Sequence, residues 1–129
     1  MRVERLDHLV LTVADIDASC AFYQRVLGMQ VVTFGQGRKA LAFGQQKINL
    51  HRHGAEFEPK ALFPTPGSAD LCLLVSTPLA EVMAHLQRCA VAIEEGPVPR
   101  TGATGALLSV YIRDPDHNLI ELANLQEEA

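Results

Sequence analysis

The sequence predicts an α+β fold built from two tandem βαβββ modules, and three observations predict it. The opening segment Leu6-Asp7-His8-Leu9-Val10-Leu11-Thr12-Val13 returns as Ala69-Asp70-Leu71-Cys72-Leu73-Leu74-Val75 when Val13 is set against Val75. Each copy then runs into a stretch of helical spacing followed by strand-like stretches. Finally, Ile48-Asn49-Leu50 closes the first copy as Ile120-Glu121-Leu122 closes the second. A repeat this long signals paired modules rather than a solenoid. The expected product is a single domain over residues 1–129, with module one at about 4–53, a connection at about 54–68 and module two at about 69–124. Its two halves are expected to form a curved mixed sheet around a cup-shaped site.

The elements follow in order. Residues 6–13 are largely apolar and β-branched, which reads as a mostly buried strand. Asp15 or Asp17 can cap a helix whose apolar positions are Ile16, Cys20, Tyr23 and Leu27, and Gly28 supplies its stop. Strands are expected at Gln30–Phe34, Lys39–Phe43 and Lys47–His51, separated by glycine-bearing turns. In the second module a strand at 70–75 leads through Pro78, at the first helical turn, into a helix with Leu79, Val82, Met83 and Leu86 on one face. Strands at Ala92–Glu94, Leu107–Arg113 and Asn118–Ala123 complete it. The closing segments lie ten residues further apart than the opening ones. That insertion is assigned to Gly96–Gly105, whose glycines and prolines predict a loop with a functional part.

Composition narrows the function. Hydrophobic residues at 48% and charged residues at 20% suit a folded globular chain. A net charge of -4, with no basic run longer than Arg38-Lys39, disfavours nucleic acid, which needs a concentrated cationic face. No apolar run approaches the roughly 20 residues that span a bilayer. The N-terminus enters a strand pattern at once, so no signal peptide is expected. The three cysteines show no CxxC spacing, which argues against both a disulfide framework and a thiolate zinc site, and a reducing cytoplasm is the expected location.

Four equivalent positions carry chemistry: His8 and Asp70 on the opening strands, Asn49 and Glu121 on the closing ones. Opening and closing strands are expected to pair, and facing sheets would gather the four side chains. His, Asp and Glu are donors for Zn, Ni, Mn, Fe or Co, and Asn49 can add an amide oxygen. Glu121 lies in the apolar run Leu119-Ile120-Glu121-Leu122 and needs a partner there, either a metal or a buried ion pair. Asp70 reads as ligand or turn residue, and Asn49 as ligand or as a bond to edge-strand backbone. His51 shares the face of Asn49 by alternation and is a substitute ligand or general base, or else a surface histidine beside Arg52. His53, His85 and His117 are expected to be exposed. Arg100, Thr101 and Thr104 fall in the expected loop, where they would hold a substrate carboxylate or phosphate, or form a solvated turn. Cys72 shares the face of Asp70 as a wall residue rather than a nucleophile.

The strand LDHLVLTV, the helix ending FYQRVLGM and the terminal RDPDHNLIEL together resemble the glyoxalase/bleomycin-resistance/extradiol-dioxygenase group, the vicinal oxygen chelate superfamily. The run KALAFGQQKINLH, then FEPKA, PGSADLCL and IEEGPVPRTGA, resembles its branch named glyoxalase domain-containing protein 5. The resemblance implies two βαβββ modules, a cup and a divalent metal, with a two-fold homodimer common among small members. Its ligand pattern carries over directly to His8 and Glu121, and with substitution to Asp70, where many members have His, and to Asn49, where glyoxalase I has Glu. An amide at 49 cannot serve as the proton-transfer base that a glutamate supplies there.

The leading expectation is a metal-dependent small-molecule enzyme of glyoxalase-like type with lyase or isomerase chemistry. Glu121 and His51 are its candidate catalytic residues, His8, Glu121, Asp70 and Asn49 its metal ligands, and Arg100, Thr101 and Cys72 its substrate contacts. The alternative is a non-catalytic small-molecule or drug-binding protein of bleomycin-resistance type. The low aromatic content, 5% with no Trp, argues against that alternative, since flat drugs are held by stacking. A third is a ring-cleaving dioxygenase or thiol transferase, for which Asp70 in place of His is unusual.

Overall fold

The computed structural model describes residues 1–127. The chain divides into two compact units, Met1–Ser68 and the residues from Ala69 onward, and each is a βαβββ module with its own four-stranded mixed sheet.

In the first unit β1 (His8–Val13), α1 (Ile16–Leu27), β2 (Gln30–Phe34), β3 (Arg38–Phe43) and β4 (Gln46–Arg52) form a sheet of order β1-β4-β3-β2. The expected pairing of opening and closing strands is present, with β1 parallel to β4 and His8 in register with Lys47. Asp15 caps α1, its carboxylate accepting from the Ala18 amide at 3.1 Å. Gly28 ends the helix in the left-handed region at φ 66°, where a Cβ would be strained. The helix buries Ser19, Cys20, Tyr23 and Val26 and packs on β2, β3 and β4, whose Leu41, Ile48 and Leu50 are fully or almost fully buried. Each such aliphatic side chain contributes roughly 1.5–3 kcal/mol.

The second unit repeats the plan with β5 (Asp70–Leu74), α2 (Leu79–Arg88), β6 (Glu95–Thr101), β7 (Ala106–Arg113) and β8 (Leu119–Leu125), in the order β5-β8-β7-β6. Pro78 stands one residue before the helix instead of inside its first turn, and brings no side-chain cap. Asn124 does that work from β8. Its Oδ1 accepts from the Leu79 amide at 2.7 Å, while its Nδ2 donates to the carbonyls of Val75 at 3.0 Å and Thr77 at 2.9 Å. The turn before β8 is locked by buried Asp114. Its carboxylate accepts from the amides of Asp116 and Asn118, each at 2.9 Å, and from Asn118 Nδ2 at 2.8 Å. Asn118 Oδ1 in turn accepts from the Ala69 amide at 2.8 Å, which fixes the start of β5 beside β8.

Two expectations fail here. Ala92–Glu94 is not a strand, and most of the expected loop at 96–105 is one, because β6 occupies Glu95–Thr101 and only residues 102–105 turn. The physical reason is position. β6 is the outermost strand of its sheet, so Pro97 and Pro99 withhold no ladder donor that an inner strand would need. Gly96 takes φ 111° against β7, where a Cβ would lie 2.4 Å from the Ser109 carbonyl oxygen. The insertion is accordingly spread over a longer helix-to-strand connection, longer β6 and β7, and a longer turn before β8. Residues 53–69 contain no helix or strand. No helix among the described residues is long and apolar enough to cross a membrane.

Candidate functional site

Strand alternation divides each sheet into a face that packs on its helix and a face that does not. In the first unit the helix-free face carries His8, Asn49, His51 and, across the β3–β4 register, Arg38. The sequence expectation that Asn49 and His51 share a face holds.

His8 is half-exposed, and its Nδ1 lies 2.8 Å from the Asp7 carboxylate. That hydrogen bond is the main cause holding the Asp7 carboxyl below its usual range. The pairing leaves Nε2 as the nitrogen open to a ligand, and a carboxylate behind an imidazole fixes its tautomer and orientation. Asn49 is 6% exposed and lies on β4, which has partners on both sides. The edge-strand alternative therefore does not apply to it. Its Oδ1 is buried with no hydrogen-bond partner.

His51 is buried as well, and is not a surface histidine. Burial, followed by the charge of Arg38, pushes its pKa below the ordinary imidazole value, with Glu56 acting in the opposite direction. Arg38 Nη2 lies 3.4 Å from His51 Nε2. A guanidinium only donates, so this contact needs the lone pair at Nε2 and the proton at Nδ1. The guanidinium carbon sits 4.9 Å from the Phe34 ring centre and 4.4 Å from that of Phe57, and Lys47 Nζ lies 3.9 Å from Phe34. Among the described residues, no carboxylate pairs with Arg38 or Lys47.

In the second unit Glu121 is in register with Cys72 on one side and Tyr111 on the other, so these side chains share the helix-free face with Asp70 and Ser109. The partner that Glu121 requires is a hydroxyl: Ser109, fully buried, donates to Oε2 at 2.6 Å. Partial burial, reinforced by the Glu121 charge and hydrogen bond, pushes the Cys72 pKa up to about 11, so the group is a thiol at neutral pH. Asp70 opens β5 and is exposed. Arg100 lies on β6, on the Glu121 face, with its donors engaged. Nε donates to Tyr111 Oη at 2.8 Å, Nη1 to the Pro99 carbonyl at 3.1 Å, and Nη2 lies 3.4 Å from Glu95. Alternation puts Thr101 on the opposite face of the strand, and Thr104 lies in the turn after it. His53 and His117 are exposed as expected. His85 is half-buried instead, one helical turn from Cys89, with Nε2 3.6 Å from its Sγ.

In kind, the predicted ligands suit a divalent ion: an imidazole backed by a carboxylate, two further carboxylates, and an amide oxygen without a partner. The first unit supplies His8 and Asn49, the second Asp70 and Glu121. Among the described residues, no three His, Cys, Asp or Glu side chains are gathered around one point. Sequence reasoning missed Arg38, Phe57 and Ser109. The tight turn between β3 and β4 carried the signal for Arg38, since counting back from Asn49 through it puts Ala40 opposite Asn49 and Arg38 opposite His51.

A family model of the glyoxalase/bleomycin resistance protein/dioxygenase superfamily matches residues 5–122. Virulence protein STM3117 of Salmonella typhimurium is 59% identical over 123 residues, covering 95% of this chain and 85% of that protein. Its crystal structure superposes with a TM-score of 0.96 at 58% identity, over 98% of this chain and 100% of that one. Glyoxalase domain-containing protein RDO1 of Mycosarcoma maydis is 58% identical over 127 residues, covering 98% of this chain and 72% of that protein. At 22% identity the fold alone extends to a lactoylglutathione lyase from Agrobacterium tumefaciens, with a TM-score of 0.73 over 96% of each chain. It extends equally to TnmS3, an antibiotic binding protein from a Streptomyces species, at 22% identity and a TM-score of 0.74 over 98% of this chain and 99% of that one.

Proposed function

Because the chain belongs to the glyoxalase/bleomycin resistance protein/dioxygenase superfamily, we propose that it is a metal-dependent small-molecule enzyme of glyoxalase-like type, working from the helix-free faces of its sheets. The observation that carries this reading is the placement of buried polar groups on those faces. Asn49, His51 and Ser109 are all buried there, with the Glu121 carboxylate beside Ser109. A sheet face serving only as scaffold would carry apolar side chains at such depth, because each uncompensated polar group costs about 1–3 kcal/mol.

His8, Asp70 and Glu121 would hold the ion, with the Asn49 amide oxygen as a fourth donor. A divalent ion supplies Lewis-acid polarisation to adjacent oxygens of a bound substrate. The rest is the work of the chain. Ser109 donates to Oε2 of Glu121 and fixes the carboxylate in place, and Glu121, when released from the ion, would be the proton-transfer group of this reading. His51 stays neutral near pH 7, but its Nε2 lone pair faces Arg38, which suits positioning better than proton shuttling. Cys72 walls the site as an unreactive thiol, and Arg100, its donors engaged by Tyr111, the Pro99 carbonyl and Glu95, stiffens β6 on the same face.

The test is metal content by mass spectrometry on the parent protein and on His8→Ala/Glu121→Ala, followed by turnover of 2-oxoaldehyde–thiol adducts. Close to one transition metal per chain, lost in the variant, is the expected result. Absence of metal from the parent after reconstitution removes the reading. A second reading, a non-catalytic binder, is favoured by the amide at Asn49, which cannot act as a base. It predicts tight ligand binding to metal-free protein. This reading takes the working protein to be a cytoplasmic homodimer, and a monomer mass by light scattering would overturn the dimer.

A further inference from the structure

The Arg38 guanidinium presents an imbalance that the metal chemistry does not use. It rests against the faces of Phe34 and Phe57, its Nε is buried without a hydrogen-bond partner, and its Nη2 lies 3.4 Å from His51 Nε2. Lys47 brings a second positive charge to the Phe34 ring, its Nζ 3.9 Å from the ring centre. No carboxylate among the described residues forms an ion pair with either group, although Asp7 feels the Lys47 charge. A guanidinium in protein structures ordinarily finds an acid, a carbonyl or water, and one held on aromatic faces keeps its N–H edge for a planar or tetrahedral oxyanion. Phe57 comes from the irregular segment after β4 and is 46% exposed, so the apolar flank of this cation is open to a ligand's body.

We propose that Arg38, flanked by Phe34 and Phe57 and assisted by Lys47, is an oxyanion-recognition site that selects small organic carboxylates or phosphates carried on an apolar body. The inference deepens the small-molecule reading above and rests on it for the nature of the ligand. The guanidinium edge pairs with the anion, the Phe57 ring covers the apolar part, and Lys47 adds long-range attraction. His51 holds the guanidinium in place by offering it a lone pair, and so acts as a positioning residue.

The experiment titrates the full chain with benzoate, phenyl phosphate and uncharged benzamide, followed by calorimetry and by NMR shifts of the Phe57 ring. Arg38→Gln and Arg38→Lys are compared with the parent after circular dichroism confirms folding. Expected are binding of at least one of the two anions, no binding of benzamide, and loss of about tenfold or more in affinity in Arg38→Gln. Arg38→Lys, which keeps the charge without the planar edge, falls between them. The stronger of the two anions identifies the natural headgroup as carboxylate or phosphate. The proposal is overturned if neither anion binds the parent, if benzamide binds as tightly, or if Arg38→Gln binds as the parent does. Metal content measured on the same samples separates the two ideas. Anion binding without metal removes the enzymatic reading and keeps this site, and metal without anion binding does the reverse.

Discussion

Replacing Ser109 by Ala tests whether Glu121 is a held carboxylate or a free one. The hydroxyl is fully buried and its 2.6 Å bond ends on a half-buried carboxylate. Hydrogen bonds to charged groups are worth about 1.5–3 kcal/mol, and water that reaches a half-buried oxygen recovers part of that. The expected loss is therefore about 1.5 kcal/mol, because the substitution removes one oxygen and leaves little cavity. For a chain of this size that lowers Tm by roughly 4–6 °C. The assay is urea unfolding of the parent, Ser109→Ala, Glu121→Ala and the double variant. The cycle isolates the pair, and its coupling energy should be about 1–2 kcal/mol. A coupling within about 0.3 kcal/mol of zero would refute the bond as the force that holds Glu121. Under the enzymatic reading Ser109→Ala also lowers kcat with little change in KM, since it loosens a carboxylate without removing a substrate contact.

Two further outcomes follow from geometry already described. Gly96→Ala places a Cβ 2.4 Å from the Ser109 carbonyl oxygen and 2.9 Å from Val110 Cα at a positive φ, and should cost at least about 3 kcal/mol in urea unfolding; a change under about 1 kcal/mol would show that β6 relaxes freely. His51 has its folded pKa depressed below the usual 6.5, so the unfolded chain binds the extra proton first, and stability falls as pH drops through 6.5 toward the folded value. Unfolding between about pH 7 and pH 5 should therefore be less pH-sensitive in His51→Gln than in the parent, and equal slopes would refute it.

The strands, helices and pairings that the repeat implied were legible because apolar residues recur at every second position, as at Leu9, Leu11 and Val13 of β1 and Ile48 and Leu50 of β4. Leu11, Val13, Ile48 and Leu50 mark one face, and the polar positions mark the other. Where legibility failed, local composition gave the wrong sign. Proline in 96–105 argued for a loop, yet on an outermost strand its missing N–H is harmless, and that position is a property of the whole sheet. Asn49 was readable as a candidate but not as an orphan, since only the packed sheet shows that nothing meets its Oδ1. Arg38 entered only as half of the longest basic run, Arg38-Lys39, although alternation sends the two to opposite faces. Phe57 appeared only within the FEPKA run of the resemblance, with nothing to place it beside Arg38. It comes from a segment without periodicity, and its place beside Arg38 is fixed by tertiary contact alone.

The parallel pairs β1–β4 and β5–β8 have a consequence for how the protein becomes competent. The antiparallel hairpins β2–β3–β4 and β6–β7–β8 join neighbours along the chain, whereas His8 meets Lys47, and Asp70 meets Leu119, only after nearly a whole module has been traversed. Contacts of such long sequence separation carry the largest loop-closure entropy and form slowly. Two of the proposed ligands, His8 and Asp70, stand on the strands joined by those late contacts. A nascent chain that has built its hairpins but not yet docked its opening strands would hold the apolar core in outline without two of the proposed ligands in place. Under the enzymatic reading, docking of the opening strands would be what completes the proposed site, and loss of metal or activity should precede loss of helix when the protein is destabilised.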